Sequence, residues 1–324
     1  MQVTPSQLVT FLTAAVPARL PVLVTGKPGV GKTDIGKLVA GLIEYFPVIT
    51  HPVVEDPTDR KGIPWPDADT KTCHWLTDEV TIYLCTTEVN TLWIIDDLGQ
   101  ASPATQAVHM QWLLNRGVNG HHLSDKVSII ACTNGRGDRA AVAGILEPVK
   151  SRFASIVELT PDIDSWSQWA FGAGIPATLI AFLRFRPDLL SDFKPTADMS
   201  NSPMPRTWAN LAKLETLGLP AQVELAAMAG AVGEGAAVEY IAFRRMFQSL
   251  ASIDAILLDP AGCKLPTAPN ELYATCTALA SKATDVNLAR IGVYAQRLVD
   301  ASRGEFAVLL MRDCIRCKQA FMRI

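Results

Sequence analysis

Gly26-Lys27-Pro28-Gly29-Val30-Gly31-Lys32-Thr33 has the spacing G-x-x-x-x-G-K-[ST], that of a loop whose backbone N–H groups cradle phosphate oxygens. In such a loop Lys32 reaches the β and γ phosphates and the Thr33 hydroxyl binds Mg²⁺. Residues Gly26 through Thr33, with Asp34 in the helical turn that follows, are therefore the candidate ATP contacts. Asp96 and Asp97 end the apolar run Leu92-Trp93-Ile94-Ile95. One acid at such a strand end binds Mg²⁺ through its water shell, and a second orients or deprotonates the attacking water. We give the first role to Asp96, beside Thr33, and the second to Asp97. Asn134 closes the run Ser128-Ile129-Ile130-Ala131-Cys132-Thr133 and suits holding the nucleophilic water or a γ-phosphate oxygen. Asp-Asp and Asn-Gly are common in turns, so neither signal is specific alone. Their placement after a phosphate loop is what gives them weight.

A scaffold has to converge these groups. Pro21-Val22-Leu23-Val24-Thr25 reads as a buried strand before the loop, and Ile35, Leu38, Val39, Leu42 and Ile43 give the segment after it a helical period. Strand-like runs follow at Val48–Val53, Thr91–Ile95, Val127–Cys132 and Ala154–Leu159, each separated by enough chain for a helix. The expected architecture is α/β, a parallel five-stranded sheet of the P-loop NTPase kind sandwiched by helices. Beyond Thr160 the chain turns helical and is punctuated by prolines. We place a nucleotide-binding core at residues 1–160, a helical lid at 161–250 and a helical C-terminal extension at 251–324. Ala221 to Val238, rich in Ala and Gly, reads as a tightly packed helix pair. The stretch Glu55 to Pro66 is rich in Pro and Asp, which predicts a long irregular loop, and loops of that length are usually functional. His121-His122 is expected at a hairpin tip.

Composition narrows the class. The chain has 324 residues, 49% of them hydrophobic and 19% charged, which is globular and not disordered. A formal net charge of -3 provides no global basic field for nucleic acid, although it leaves room for a local patch. Seven scattered cysteines do not form a disulfide framework and suggest a reducing compartment. Cys314 and Cys317 lack a second Cys or His pair nearby, so packing on one helix face is favoured over metal. Without a basic, signal-like start or an apolar run of roughly 18 residues, the sequence predicts a soluble cytoplasmic protein with no membrane contact.

Taken in order, the phosphate loop, Asp96-Asp97, Thr133-Asn134, Ser151-Arg152-Phe153 and Pro205-Arg206-Thr207-Trp208 resemble an AAA+ ATPase. Asp96-Asp97-Leu98-Gly99-Gln100-Ala101 and Gly137-Asp138-Arg139-Ala140-Ala141-Val142 resemble its MoxR-like members from phages and bacteria. The resemblance spans about residues 5 to 250. It implies Walker A at Lys32 and Thr33, Walker B at Asp96 and Asp97, and sensor 1 at Asn134. It further implies an arginine finger at Arg152, reaching a neighbouring subunit's nucleotide, and sensor 2 at Arg206, with Arg139 a second candidate for a contact in trans. Guanidinium groups suit a loose, highly charged transition state. A homo-oligomeric, hexameric ring is implied, remodelling a protein client that in this family is associated with a VWA-domain protein. The chain has Asp97 where the family has Glu, one methylene longer, so turnover could be slow and the protein a nucleotide-gated switch.

The loop from Asp56 to Pro66 occupies the place of the family's pore-facing helix-2 insert, which makes Ile63 and Trp65 client-gripping positions with Lys61 beside them. Burial of Trp65 against the sheet edge is the competing reading. The rival function is a DNA-directed AAA+ ATPase of the clamp-loader or helicase-loader type, for which the loop offers Arg60 and Lys61. Glu55, Asp56, Asp59, Asp67 and Asp69 make the segment net acidic and favour a protein client. A small-molecule kinase would leave Arg152, Arg206 and the helical half unexplained.

Overall fold

The computed structural model describes residues 1–135, 144–194, 199–250 and 252–321. The chain divides into two compact units, Met1–Thr160 and Pro161–Ile324. The first opens with β1 (Gln2–Val3), α1 (Pro5–Ala15), β2 (Val22–Thr25), α2 (Lys32–Leu42) and β3 (Phe46–Thr50). Next come α3 (Pro57–Lys61), β4 (Ile63–Asp67), β5 (Thr72–Leu76), α4 (Glu79–Thr86) and β6 (Thr91–Ile95). It finishes with α5 (Pro103–Asn115), β7 (Gly117–Val118), β8 (His121–His122), β9 (Val127–Thr133), α6 (Glu147–Lys150) and β10 (Ser155–Leu159).

Six strands form one parallel sheet in the order β1-β10-β2-β9-β6-β3. Five are those the sequence predicts. The sixth, β1, adds only Gln2 and Val3 at an edge, too short to show a period. Every residue of β6 and β9 is buried, as expected of central parallel strands covered on both faces. Trp93, Ile95, Leu98, Trp112, Ile129 and Phe153 share one apolar cluster. The third strand departs from expectation: it ends at Thr50, and Pro52–Val54 form a 3₁₀ turn, since a proline there supplies no ladder donor.

The register sets the site. Thr25 lies opposite Thr133, Ile94 opposite Ile130, and Thr50 opposite Ile95. The residues that follow these strand ends, Gly26, Asp96, Asn134 and His51, thus emerge along one carboxyl edge. Because β2 has β10 on one side and β9 on the other, this edge holds a switch point of the topology, where open α/β sheets form their ligand crevice.

Residues 55–76 correct the irregular loop. Pro57 sits in the first turn of α3, where its missing N–H is no loss, and Asp56 with Asp59 forms a capping box. Antiparallel β4 and β5 then pair Ile63 with Leu76, Trp65 with His74, and Asp67 with Thr72. Pro64 and Pro66 are tolerated because alternate residues of a two-stranded ribbon donate no cross-strand bond. Beneath it, Arg60 is buried: its Nε and Nη2 donate to Glu55 at 3.1 and 2.7 Å, and its Nη1 to Asp78 at 2.8 Å. His121-His122 forms the second strand of a small hairpin whose tip is Asn119-Gly120, not the tip itself. This hairpin meets the larger one through Asn119 Nδ2, which donates to the Lys61 carbonyl at 2.8 Å, and His121 Nε2, 2.9 Å from the Trp75 carbonyl.

The second unit contains α7 (Ile163–Gly172), α8 (Ala177–Phe185), α9 (Pro205–Glu215), α10 (Ala221–Val232) and α11 (Glu234–Ser249). It continues through α12 (Ile253–Leu258), α13 (Pro269–Ser281), α14 (Leu288–Asp300) and α15 (Gly304–Phe321), with no strand among the described residues. The Ala-rich segment is a helix pair, α10 and α11, broken at Gly233. Phe182, Trp208 and Tyr240 centre one core, and Tyr294, Leu298 and Leu310 a second. Buried Arg184 on α8 joins them, donating to Asp313 on α15 and to Thr277 Oγ1 on α13. Cys276, Cys314 and Cys317 are buried, and burial raises their thiols to about 12, about 12 and about 11, so they remain protonated packing groups. Among the described residues, no helix is long and apolar enough to cross a membrane.

Candidate functional site

At the carboxyl end of β2 the chain turns through Gly26–Gly31 into α2. Gly29 and Gly31 have φ of 74° and 95°, while Val30 between them does not have a positive φ. That alternation turns successive N–H groups toward one concavity, and the α2 N-terminus adds its dipole, so the loop fits a phosphate. A Cβ at Gly26 would stand 2.8 Å from the Leu159 carbonyl, so only glycine fits where the loop passes β10. Val30 is buried, Pro28 half-buried, and Lys27 exposed. Asp34 is exposed in the first turn of α2, 3.8 Å from Lys37, and favourable there for the helix dipole.

The Lys32 ammonium is buried and donates to the Gly26 and Lys27 carbonyls at 2.8 and 3.1 Å and to Asn134 Oδ1 at 2.7 Å. The other end of the same amide, Asn134 Nδ2, donates to Asp97 Oδ1 at 3.2 Å. Asn134 thereby bridges the loop cation and the carboxylate expected to handle water, with each end of the amide matched to its partner. Thr33 Oγ1 donates to Asp96 Oδ2 at 2.7 Å, so the two residues expected to bind Mg²⁺ are in contact. A hydroxyl and a carboxylate side by side are a donor set suited to that hard cation.

Asp97 occupies the left-handed region, with φ 57° and ψ 30°. Such backbone costs a β-carbon residue about 1 kcal/mol or more, least for Asn and Asp. Asp97 N donates to Asp96 Oδ1 at 3.1 Å, and its carbonyl accepts from Gln100 N at 2.9 Å, which begins the 3₁₀ turn Leu98–Gln100. This turn swings the Asp97 side chain toward Asn134. Gly99 permits it, because a Cβ there would lie 2.4 Å from Thr133 Oγ1. Below the site, burial raises the Cys132 thiol far above its usual range, so it carries no charge.

Sequence reasoning did not name His51 as a site residue. It follows β3 directly, and its Nδ1 lies 4.0 Å from Asp96 Oδ2. The sequence pattern carries the third strand through to Val53 and so hides His51 inside it, whereas the strand ends at Thr50. Two arginines are expected to complete the site. Arg152 follows α6; its Nη1 donates to Ser151 Oγ at 3.3 Å, and its buried Nε has no acceptor among the described residues. Arg206 is exposed in the first turn of α9, in the second unit. Arg139, with the whole run Gly137–Val142, lies outside the described residues.

On the ribbon, Ile63, Trp65 and Leu76 are exposed to 57, 60 and 54%. Their cross-strand pairing places them on one face. Trp65 is therefore not tucked against the sheet edge. Arg60, which could have served a nucleic acid, is neutralised underneath.

No family model matches the chain, and no curated protein matches it. Among solved structures, a point mutant of Thermotoga maritima RuvB is 13% identical over 84% of this chain and 80% of its own, with a TM-score of 0.42. The Thermotoga maritima RuvB Holliday junction branch migration motor is 14% identical over 92% and 86%, with a TM-score of 0.41. A candidate ATPase from Cytophaga hutchinsonii is 13% identical over 90% and 74%, with a TM-score of 0.38. Likeness at this level fixes neither family nor activity.

Proposed function

We propose that the chain is a Mg²⁺-dependent ATPase of the AAA+ type, similar to the MoxR-like branch, which works as a homo-oligomeric ring on a protein client. The observation that carries this reading is the pair of contacts Lys32–Asn134–Asp97 and Thr33–Asp96, which bring the phosphate loop and two strand ends together. In the loop, Lys32 and the α2 N-terminus bind the phosphates and orient the γ-phosphoryl group. Thr33 and Asp96 would hold Mg²⁺, which would supply positive charge against the phosphates. Asp97 accepts a proton from, or orients, the attacking water, and Asn134 keeps that carboxylate aligned with the phosphate end. Arg152 from a neighbouring subunit and Arg206 from the helical unit supply the remaining positive charge.

The apolar face Ile63–Trp65–Leu76 supports a protein client over a nucleic acid. Phosphate binding calls for free cations, and Arg60 is bound to Glu55 and Asp78. The shorter Asp97 is consistent with slow turnover.

The test is a pair of variants. Lys32→Ala should lose nucleotide binding, measured with a fluorescent ATP analogue. Asp97→Asn should bind normally and lose phosphate release, since Asn tolerates the same left-handed backbone. Unchanged turnover in Asp97→Asn would overturn the assignment of the water-handling carboxylate.

A further inference from the structure

The cation site has a neighbour that phosphate-loop chemistry does not require. One atom each of His51, Asp96 and Asp97 lies within 4.8 Å of the others, the one such His, Cys, Asp or Glu group among the described residues. The sheet register explains the meeting: Thr50 pairs with Ile95, so His51 and Asp96 leave adjacent strands at one level. Two ligands of one first-row ion, each at about 2.0–2.2 Å, can be separated by at most about 4.4 Å. The 4.0 Å between His51 Nδ1 and Asp96 Oδ2 is inside that limit. The His51 side chain is 51% exposed, so its ring has room to adjust, whereas Asp96 at 14% is held in place by Thr33.

We propose that His51 and Asp96 directly ligate a first-row transition ion beside Thr33, in place of the water-mediated Asp96 contact expected for Mg²⁺, and that His51 thereby biases the site toward such an ion over Mg²⁺. This rests on the nucleotide-site reading above. Mg²⁺ keeps oxygen ligands and much of its water, and gains little from an imidazole. Transition ions bind imidazole nitrogen well, so a mixed hydroxyl, carboxylate and imidazole set discriminates in their favour. The identity of the ion would then be set by one residue at the end of β3, and cellular Mn²⁺ or a similar ion would compete with Mg²⁺ for turnover.

Mn²⁺ is the probe. Uniformly ¹⁵N-labelled protein with unlabelled ADP is titrated with Mn²⁺, and free ion is read by electron paramagnetic resonance, with Mg²⁺ as competitor. His51→Ala should weaken Mn²⁺ about tenfold or more, the scale of losing even an outer-shell partner, and change Mg²⁺ less than about twofold. Pulsed spectra of the wild-type complex should show ¹⁵N coupling to Mn²⁺ that disappears in His51→Ala. The unlabelled nucleotide cannot produce that coupling. Nucleotide binding in EDTA, equal in the two proteins, checks that the variant is folded; His51→Asn serves if it is not. Equal Mn²⁺ affinities with no ¹⁵N coupling would overturn the His51 assignment and leave the nucleotide site standing. Wild-type protein that binds no nucleotide would overturn the reading on which the assignment rests.

Discussion

At the scale of single residues, polar groups buried beneath the site are as informative as those in it. His109 on α5 donates from Nδ1 to the Thr105 carbonyl at 3.1 Å, and its Nε2 faces Glu55 Oε2 at 3.7 Å without a hydrogen bond. Burial lowers its pKa from 6.5 to about 4, outweighing the Thr105 bond and Glu55. The folded protein therefore holds this ring neutral while the unfolded chain protonates it, so stability is present above pH 6.5 and is lost as pH falls toward 4. Chemical denaturation should show a loss of about 2 kcal/mol between about pH 7.5 and about pH 5 from this group. In His109→Gln that part of the slope should vanish; an identical slope would show that other groups titrate. Arg60 is a different case. Its partners Glu55 and Asp78 would be left without a counter-ion in Arg60→Ala, and losing one side of a buried pair costs about 3–5 kcal/mol. A denaturation midpoint unchanged by Arg60→Ala would mean that water already solvates the cluster.

Elements decide which groups can meet. Gly99 brings the 3₁₀ turn after β6 against β9, with a would-be Cβ only 2.4 Å from Thr133 Oγ1. Gly99→Ala should therefore destabilise by about 1–3 kcal/mol, as overpacking does, and displace Asp97. Thr133→Ala in the same chain removes the clashing oxygen and should restore part of the loss; no recovery would place the strain elsewhere. Strand ends and phosphate loop were legible in the sequence because each combines a long apolar run with a glycine or carboxylate stop, as at Leu92–Asp97. The ribbon was not, since Pro64 and Pro66 read as breakers and only a free two-stranded edge accommodates them. His51 was missed for another reason: its partner Asp96 is distant in sequence and becomes adjacent only through strand order. The left-handed Asp97 has no composition signal at all.

At the scale of the whole molecule, the residues given roles in the proposed chemistry are divided between the two units. The α/β unit contains Lys32, Thr33, Asp96, Asp97, Asn134 and Arg152, and the helical unit contains Arg206. Arg152 is half-buried, with Nη1 donating to its neighbour Ser151 at 3.3 Å, and under the proposed function its acceptor comes from another subunit. If that acceptor is a neighbouring subunit's nucleotide, hydrolysis per subunit should rise with protein concentration. Head-to-tail contacts that close into a ring suit such a donation. Arg152→Ala should lower turnover by about 10³-fold or more while leaving nucleotide binding intact. Mixing it with Lys32→Ala subunits should restore some activity at interfaces that pair an intact loop with an intact arginine. Full activity of Arg152→Ala at every dilution would show the site to be complete within one chain.

The pairing of Ile63 with Leu76 has one more consequence. It brings the two stems of the ribbon within one strand spacing, about 5 Å, so the segment is a cassette plugged into a fixed socket. Replacing the ribbon's tip beyond those stems should leave the sheet intact provided the Trp75 carbonyl stays in place for His121. Descendants of one scaffold could thus change what they grip by exchanging a single ribbon, and an engineer could graft a foreign hairpin at the same two stems.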